Sequence, residues 1–407
     1  MTTILSSDID PQAIARCVFI DGQVDGDRLW HDLEKLQRQA PLFYCPEADL
    51  WIATGYAEVR SILAAKGVQV AFADRNDRLT PGWRGHRSRR NMEAWFGHKD
   101  GADHMRTRRA LNGFFLPSAM RALGAFLDLV IPDIVGNYRA RGGGDFLDLV
   151  GFELTVRVTD HLLGLSPSDR PDFRALIPRI MKTFDFGLTD AEWQAADEAS
   201  DEMRAFWNER IGERIADPRG DDILAQIIRS GAFDHDELVV MGENIVAAGS
   251  DTTAHSSTNG MALLMRHPEI MDRLRLNPSL AEPFVGEVMR LVSAAPVSGR
   301  GTVESSEIGG LTLPKGGIVL AVLGAANRDP AIFDRPHEVD LARPNASKAI
   351  SFGHGLHICL GQWVVREALL RLYPEMLRQC ATIELEGPAS EARGLGIRHV
   401  SLRLRVK

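Results

Sequence analysis

Apolar residues recur at spacings of three and four through most of this chain, the signature of one buried helical face. The spacing predicts helices over residues 56–65, 118–141, 146–165, 169–186, 190–216, 222–229, 236–266 and 362–372. Strand-like runs are few and short: 42–45 and 50–53, parted by a Pro-Glu-Ala-Asp turn, then 311–314 and 317–322. From 72 to 99 periodicity disappears, and Arg75, Arg78, Arg84, Arg87, Arg89 and Arg90 alternate with Trp83, Trp95 and Phe96. No linker, repeat or low-complexity tract interrupts the 407 residues, so 1–407 reads as one domain even though the length alone would allow two or three.

The longest predicted helix, 236–266, contains Ala247-Ala248-Gly249-Ser250-Asp251-Thr252-Thr253. Glycine and small hydroxyl residues weaken a helix interior, and a Thr hydroxyl tends to bond the carbonyl four residues back, here Ala248. An interruption or bend is expected there. By itself the segment reads equally as a helix crossed closely by a neighbour.

Before the last predicted helix stands a glycine-rich loop, residues 351–361, Ser-Phe-Gly-His-Gly-Leu-His-Ile-Cys-Leu-Gly. Gly353 and Gly355 allow the backbone to turn sharply and lie flat against a planar partner. Cys359 falls at the mouth of the helix, where orphan N–H groups and the positive end of the dipole favour a thiolate. A thiolate so presented could be a nucleophile, a zinc ligand or an axial haem ligand. The other cysteines, Cys17, Cys45 and Cys380, make no paired set of the kind structural zinc takes. A nucleophile would want a base, and His357 could serve.

Composition narrows the setting. Residues 1–12 show no basic segment followed by an apolar core, so no signal peptide is expected. The longest apolar run, 318–326, falls far short of the roughly twenty residues that span a bilayer. Four unpatterned cysteines fit a reducing cytoplasm, and a net charge of −8 argues against nucleic-acid binding.

The pattern Phe-x-x-Gly-x-x-x-Cys-x-Gly, carried by Phe352, Gly355, Cys359 and Gly361 with His357 between, resembles the haem-binding signature of the cytochrome P450 family. The likeness extends from about Leu42 to the end of the chain. His104 and Arg108, with Asp103 as the expected N-cap of their helix, match the family's His-x-x-x-Arg pair that donates to a haem propionate. Arg300, ten residues after Arg290, matches its second propionate arginine. Ala248 and Gly249 fall in the oxygen-binding groove, and Asp251 with Thr252 matches the acid and alcohol that relay protons to dioxygen. Glu287 and Arg290, about seventy residues before Cys359, together with Arg343, match a buried structural triad. By itself Glu-x-x-Arg is a common surface ion pair. Asn327-Arg328-Asp329-Pro330 is also similar to a family signature. One departure is Pro296, two positions later than usual, with Ala294 in its place.

The resemblance implies a mainly α fold with a minor β-sheet, and haem b between the oxygen-groove helix and the helix after the cysteine loop. Cys359 would be the axial ligand and iron-binding residue, with Phe352, Gly353, His357 and Gly361 around the cofactor. The expected substrate pocket draws on Trp83, Trp95, Phe96, Ala247, Ala248, Val297, Ser298 and Gly299. The implied activity is monooxygenation: a bacterial-type enzyme hydroxylating a small or medium apolar substrate in secondary metabolism or catabolism. Electrons would come from a separate ferredoxin or flavodoxin with its reductase. Oxidative coupling or ring closure, and a non-catalytic haem sensor, are the alternatives. Asp251 is further expected to pair with Arg179 or Lys182. The arginine-rich stretch reads either as a solvated lid or as a source of one or two inward cations that hold an acidic substrate.

Overall fold

The computed structural model describes residues 26–407 apart from 71, 169, 186, 218, 388–389 and 392–398. Residues 1–12 and Cys17 lie outside the described residues. The chain opens with α1 (Gly26–Gln39), β1 (Leu42–Cys45), β2 (Leu50–Ala53), α2 (Tyr56–Ala64) and β3 (Val68–Gln69). Next come α3 (Phe72–Leu79), α4 (Arg87–Glu93), α5 (Gly101–Asn112), α6 (Pro117–Ala140) and β4 (Gly143–Asp145). A π-helical turn, Leu147–Phe152, leads into α7 (Glu153–Leu163), followed by α8 (Phe173–Met181), α9 (Asp190–Ala216), α10 (Ile223–Ser230) and α11 (His235–Arg266). Then follow α12 (Pro268–Leu276), α13 (Ala281–Val292), β5 (Val297–Thr302), β6 (Ser306–Ile308), β7 (Leu311–Leu313), β8 (Ile318–Val322), α14 (Leu323–Ala326) and α15 (Gln362–Gln379). Four short strands close the chain: β9 (Ile383–Leu385), β10 (Ser390–Glu391), β11 (His399–Ser401) and β12 (Arg403–Val406). The architecture is mainly α with small sheets.

The largest sheet has the order β1-β2-β8-β5-β3, with β2 and β8 parallel and every other pairing antiparallel. Apolar residues on its two faces feed separate clusters, one against Leu29, Trp30 and Leu33 of α1, the other against Val59 and Ile62 of α2. The helical part has two larger clusters, and α11 contributes to both: Leu238 and Val246 to one, Met261 and Leu264 to the other. A helix buried on so many sides holds its register by close contacts. A Cβ at Gly242 would sit 2.5 Å from the Trp207 ring of α9.

Several sequence expectations shift. Helix 146–165 starts as the π turn, and 169–186 shortens to α8 plus a 3-10 turn, Lys182–Phe184. α5 begins after Asp100, so Asp103 lies in its first turn rather than at its cap. α11 runs uninterrupted through 247–253, entered by a capping box of Asp234 and Glu237. Thr252 does donate to the Ala248 carbonyl, at 2.8 Å, without breaking the helix.

The 72–99 segment is not an open loop. It folds into α3 and α4 with 3-10 turns between and after them. The buried face of α4 is Ser88, Arg89 and Met92, which explains the missing hydrophobic period. It docks on α9 by polar bonds: the Ser88 amide and hydroxyl donate to Asp197 at 2.8 and 2.7 Å, and Asn91 donates to Ser200 at 2.9 Å. Among the described residues no single helix is long and apolar enough to cross a membrane.

Candidate active site

Between α11 and the loop before α15 lies a cavity of about 320 Å³. Its walls are apolar for the most part, with Phe96, Phe115, Leu154, Val158, Leu360 and Val364 among them. On one side Ala248, Gly249 and Thr252 form the bare strip of an otherwise buried helix. Opposite stands Cys359, half-buried and facing the same space. His104, Arg108, Arg300 and His357 complete the lining.

The cysteine loop is held by backbone bonds and by its neighbours. The Cys359 amide donates to Phe352 O at 2.8 Å, and the Gly353 amide to Ile350 O at 2.8 Å. Asn327 anchors the approach: its Oδ1 accepts from the Ile350 amide and its Nδ2 donates to Ser351 Oγ, both at 2.8 Å. Ser351 in turn donates to Met289 O of α13 at 2.6 Å. Gly355 has φ +76°, and a Cβ there would run into the Leu63 carbonyl, so no other residue fits. Its flatness therefore serves contact with α2 and not the cavity. Phe352 and Gly353 do not line the cavity; Phe352 packs toward the core of α6, α13 and α15.

Behind the loop lies the Glu287, Arg290 and Arg343 network. Arg290 donates to both carboxylate oxygens of Glu287 at 2.8 Å, and Arg343 Nε to the same pair at 3.1 Å. Arg290 spends its remaining donors on the carbonyls of Asn327, Pro336 and Glu338 at 3.0, 2.6 and 2.9 Å. Arg343 reaches the carbonyls of Asp334, Arg335 and Glu338. All three side chains are buried, and the dense bonding of both guanidinium groups is what makes the burial tolerable.

Burial pushes the Cys359 thiol up, outweighing the amides of Gly361 and Gln362 and the charge of Arg108, which favour the thiolate. Burial and the helix mouth thus act on this thiol in opposite directions, and a cation bonded to sulfur would favour the thiolate. The cationic groups behave likewise. Burial lowers Arg108, with Cys359 acting against it, and lowers Arg300 to about 10 with Asp100 opposing. Among the described residues Arg300 donates to Ser298 Oγ at 2.6 Å and to Gly299 O at 2.8 Å, and Arg108 to Asn112 at 3.2 Å. One buried and one half-buried guanidinium group, with no carboxylate bonded to them among the described residues, lining an apolar space that also bears a thiol, suit a planar dianionic metal macrocycle. Haem fits this donor set.

His104 and His357 stand with ring centroids 4.0 Å apart. His104 is fixed by the carbonyls of Phe96 and Leu356, and His357 donates to Asp100 at 2.9 Å. Burial lowers the His357 pKa, with Asp100 opposing; burial acts to raise Asp100, but the bonds from His357 and from the Val70 amide bring it below its ordinary value. Asp100 was missed in the sequence, although Asp100-Gly101 is a helix-start signal three residues before the Asp103 chosen there. Asn244 was also missed. It lies one turn before Ala248 and two before Thr252, lines the cavity, and among the described residues its buried Oδ1 accepts no hydrogen bond.

Asp251 is buried but does not line the cavity; its Oδ1 lies 3.5 Å from His255 Nε2. Arg179 bonds Glu198 at 3.2 Å and Lys182 bonds Asp185 at 2.9 Å, in place of the expected pairing with Asp251. Of the expected pocket residues, Phe96, Ala248 and Ser298 line the cavity, while Trp83, Trp95, Ala247, Val297 and Gly299 do not. Trp83 is 1 % exposed and donates to Asp77 at 2.8 Å, and Trp95 and Ala247 are spent in the core of the helical half. Gly299 faces Arg75, whose Cδ and Nη1 would be 2.9 and 3.0 Å from a Cβ there. Arg78, Arg84, Arg87 and Arg90 are outward and engaged with Asp49, Asp77, Asp201 and the Arg84 carbonyl respectively. Arg75 and Arg89 turn inward, lowered by burial to about 10 and about 9.

Comparison with known proteins places this geometry. A family model described as Cytochrome P450 matches residues 152–278 and 279–384. The chain is 28 % identical over 364 residues to a putative cytochrome P450, YjiB, of Bacillus subtilis (strain 168), covering 86 % of this chain and 88 % of that one. It is 29 % identical over 336 residues to a vitamin D(3) 25-hydroxylase of Pseudonocardia autotrophica, covering 79 % and 78 %. Its fold is similar to P450BioI solved in complex with an acyl carrier protein ligated to hexadec-9Z-enoic acid, with TM-score 0.83, 23 % identity, and 93 % and 98 % of the two chains covered.

Proposed function

The chain belongs to the cytochrome P450 family, and on that premise we propose a monooxygenase that hydroxylates a small or medium apolar organic substrate within the cavity beneath α11. As a family member it carries haem b on a cysteine thiolate. When bound, that group supplies reductive activation of dioxygen and insertion of one oxygen atom into a C–H bond. The observation that carries the reading is the cavity itself, with the Cys359 thiol facing the bare Ala248, Gly249 and Thr252 strip across it.

In this reading Cys359 would hold the iron through its sulfur, and the positive charge of that metal would offset the effect of burial on the thiol. His104, Arg108, Arg300 and His357 hold the two propionates, with Asp100 orienting His357. Thr252 presents its hydroxyl to the cavity from α11, and Asp251 with His255 one turn on forms the buried store from which protons reach it. The apolar wall of Leu154, Val158 and Phe96 excludes water from the reacting C–H bond. Asn244 offers the substrate a hydrogen-bond acceptor, which favours a molecule with one hydroxyl or amide group on an apolar body.

Electrons come from a separate ferredoxin or flavodoxin with its reductase, in the cytoplasm. A carboxylate or phosphate on the substrate would find Arg75 beside Arg300, the one lid arginine set against the strand that lines the cavity. The purified protein is tested by its ferrous carbonyl spectrum: the family's red-shifted band is expected for the parent and its loss for Cys359→Ser. A parent spectrum of the His-ligated kind would overturn the assignment.

A further inference from the structure

Away from the cavity, α1 and the loop after α14 bring together three side chains that nothing above uses. His31 and Glu34 lie one turn apart on α1, and His337 arrives from the loop that leads to the buried triad. A ligand atom of each lies within 4.8 Å of the others, and among the described residues this is the one group of three His, Cys, Asp or Glu gathered so closely. Glu34 divides its carboxylate: Oε1 accepts from Arg38 at 2.7 Å, while Oε2 faces His337 Nε2. The two imidazoles face each other with centroids 4.2 Å apart and planes tilted by 34°.

We propose that His31, Glu34 and His337 form a binding site for a divalent transition-metal ion of the zinc type. Two imidazoles and one carboxylate are the donor set that such ions take, whereas Mg²⁺ and Ca²⁺ want oxygen ligands. Bonds of about 2.0–2.2 Å at tetrahedral angles space ligand atoms by about 3.4 Å. Glu34 Oε2 and His337 Nε2, already in hydrogen-bond contact, would exchange the proton between them for the ion and part slightly, and the exposed His31 ring has to turn inward to complete the set. Arg38 acts from outside the coordination sphere, fixing the carboxylate so that Oε2 points at the ion. Arg328, stacked on Trp30 at 4.1 Å, adds positive charge nearby and limits the affinity. The fourth position is left to water.

Such an ion would tie α1 to the segment whose Pro336 and Glu338 carbonyls accept from Arg290 and Arg343. It would stiffen the support behind the cysteine loop without touching the cavity. The site depends on none of the haem chemistry.

The test is an equilibrium Zn²⁺ titration of untagged, haem-loaded protein against a chromophoric chelator, with Mg²⁺ as control, beside thermal unfolding with and without Zn²⁺. Expected are about one Zn²⁺ per chain, no competition by Mg²⁺, and an unfolding temperature that Zn²⁺ raises in the parent but not in His31→Ala. Both His31→Ala and His337→Ala should weaken Zn²⁺ binding at least about tenfold, since loss of even an outer-shell partner commonly costs that much. His31 is exposed, so its variant should keep the parent haem spectrum and decides the matter if His337→Ala fails to fold. A parent that binds no stoichiometric Zn²⁺, or a His31→Ala that binds it as the parent does, overturns the proposal.

Discussion

On the cysteine side of the cavity, position is set by hydrogen bonds whose partners are backbone carbonyls and one buried carboxylate; on the arginine-rich side it is set by side chains meeting side chains. Glu287 lies under two arginines whose other donors all end on carbonyls of the loops they brace. The lid helix α4 instead docks through Ser88, Asn91 and Arg87 onto Asp197, Ser200 and Asp201 of α9. The first arrangement has one geometry or none, because removing a member strands a buried charge. The second can lose its exposed member, Arg87 with Asp201, and keep its shape, since such a pair contributes little. A rigid floor suits a site that must hold one cofactor in one orientation.

The largest effect should come from breaking the floor. Glu287→Ala leaves Arg290 and Arg343 facing each other in the core and should cost about 3–5 kcal/mol, read as a lowered unfolding temperature and poor haem retention. Removing Arg87 from the lid should cost under about 1 kcal/mol by the same measurement. Equal losses at both places would abolish the contrast.

Next is Arg75. Its replacement by Gln should weaken an acidic substrate by about ten- to a hundredfold, about 1.5–3 kcal/mol, and leave the matching neutral ester or amide unaffected. Titrations followed by the haem spectrum make the comparison directly; parallel weakening of both compounds would make Arg75 a packing residue and end the case for an acidic substrate.

Thr252→Ala should leave substrate affinity nearly unchanged while product formed per electron pair falls by about tenfold, the electrons appearing as hydrogen peroxide. Measuring product and peroxide in one reaction decides it, and unchanged coupling would remove Thr252 from the proton route.

The smallest effect is a pH dependence confined to the lid. His98 is held to a pKa of about 3 by burial, with Arg75, Arg89 and Lys99 adding to it against the bond to Met92 O. Its folded pKa lies below the unfolded value near 6.5, so its contribution is complete above that pH and fades as pH falls toward 3. One unit below 6.5 should cost about 1.4 kcal/mol. Hydrogen exchange at pH 7.5 and 5.5 should show residues 87–99 loosening while 350–361 stay protected. His98→Gln should remove the difference, and uniform loosening would place the acid sensitivity elsewhere.

The same contrast accounts for what could be read beforehand. The cysteine loop was legible because its demands are local: positive φ at Gly353 and Gly355, and a helix starting three residues after Cys359. The pairing of His104 with Arg108 and of Ala248 with Thr252 follows from helical spacing and needs no tertiary information. The lid was not legible, because α4 buries an arginine and a serine and so carries no apolar period. Which of its arginines turn outward depends on partners far apart in the chain, Asp49 for Arg78 and Asp201 of α9 for Arg87. Trp83 and Trp95 looked like pocket residues by type, yet both face the core.

Sequence alone determined the helical framework, the cysteine and its loop, the residues one turn apart on α5 and α11, and the family, since each is a matter of spacing along one chain segment. Tertiary structure decided that Asp100 and not Asp103 starts α5 and holds His357, that Asp251 meets His255, that burial outweighs the helix mouth at Cys359, and that His31 and Glu34 meet His337. Those outcomes depend on solvent exclusion and on partners up to three hundred residues away. Neither is encoded in local periodicity, because both arise only when segments distant in the chain are packed against one another.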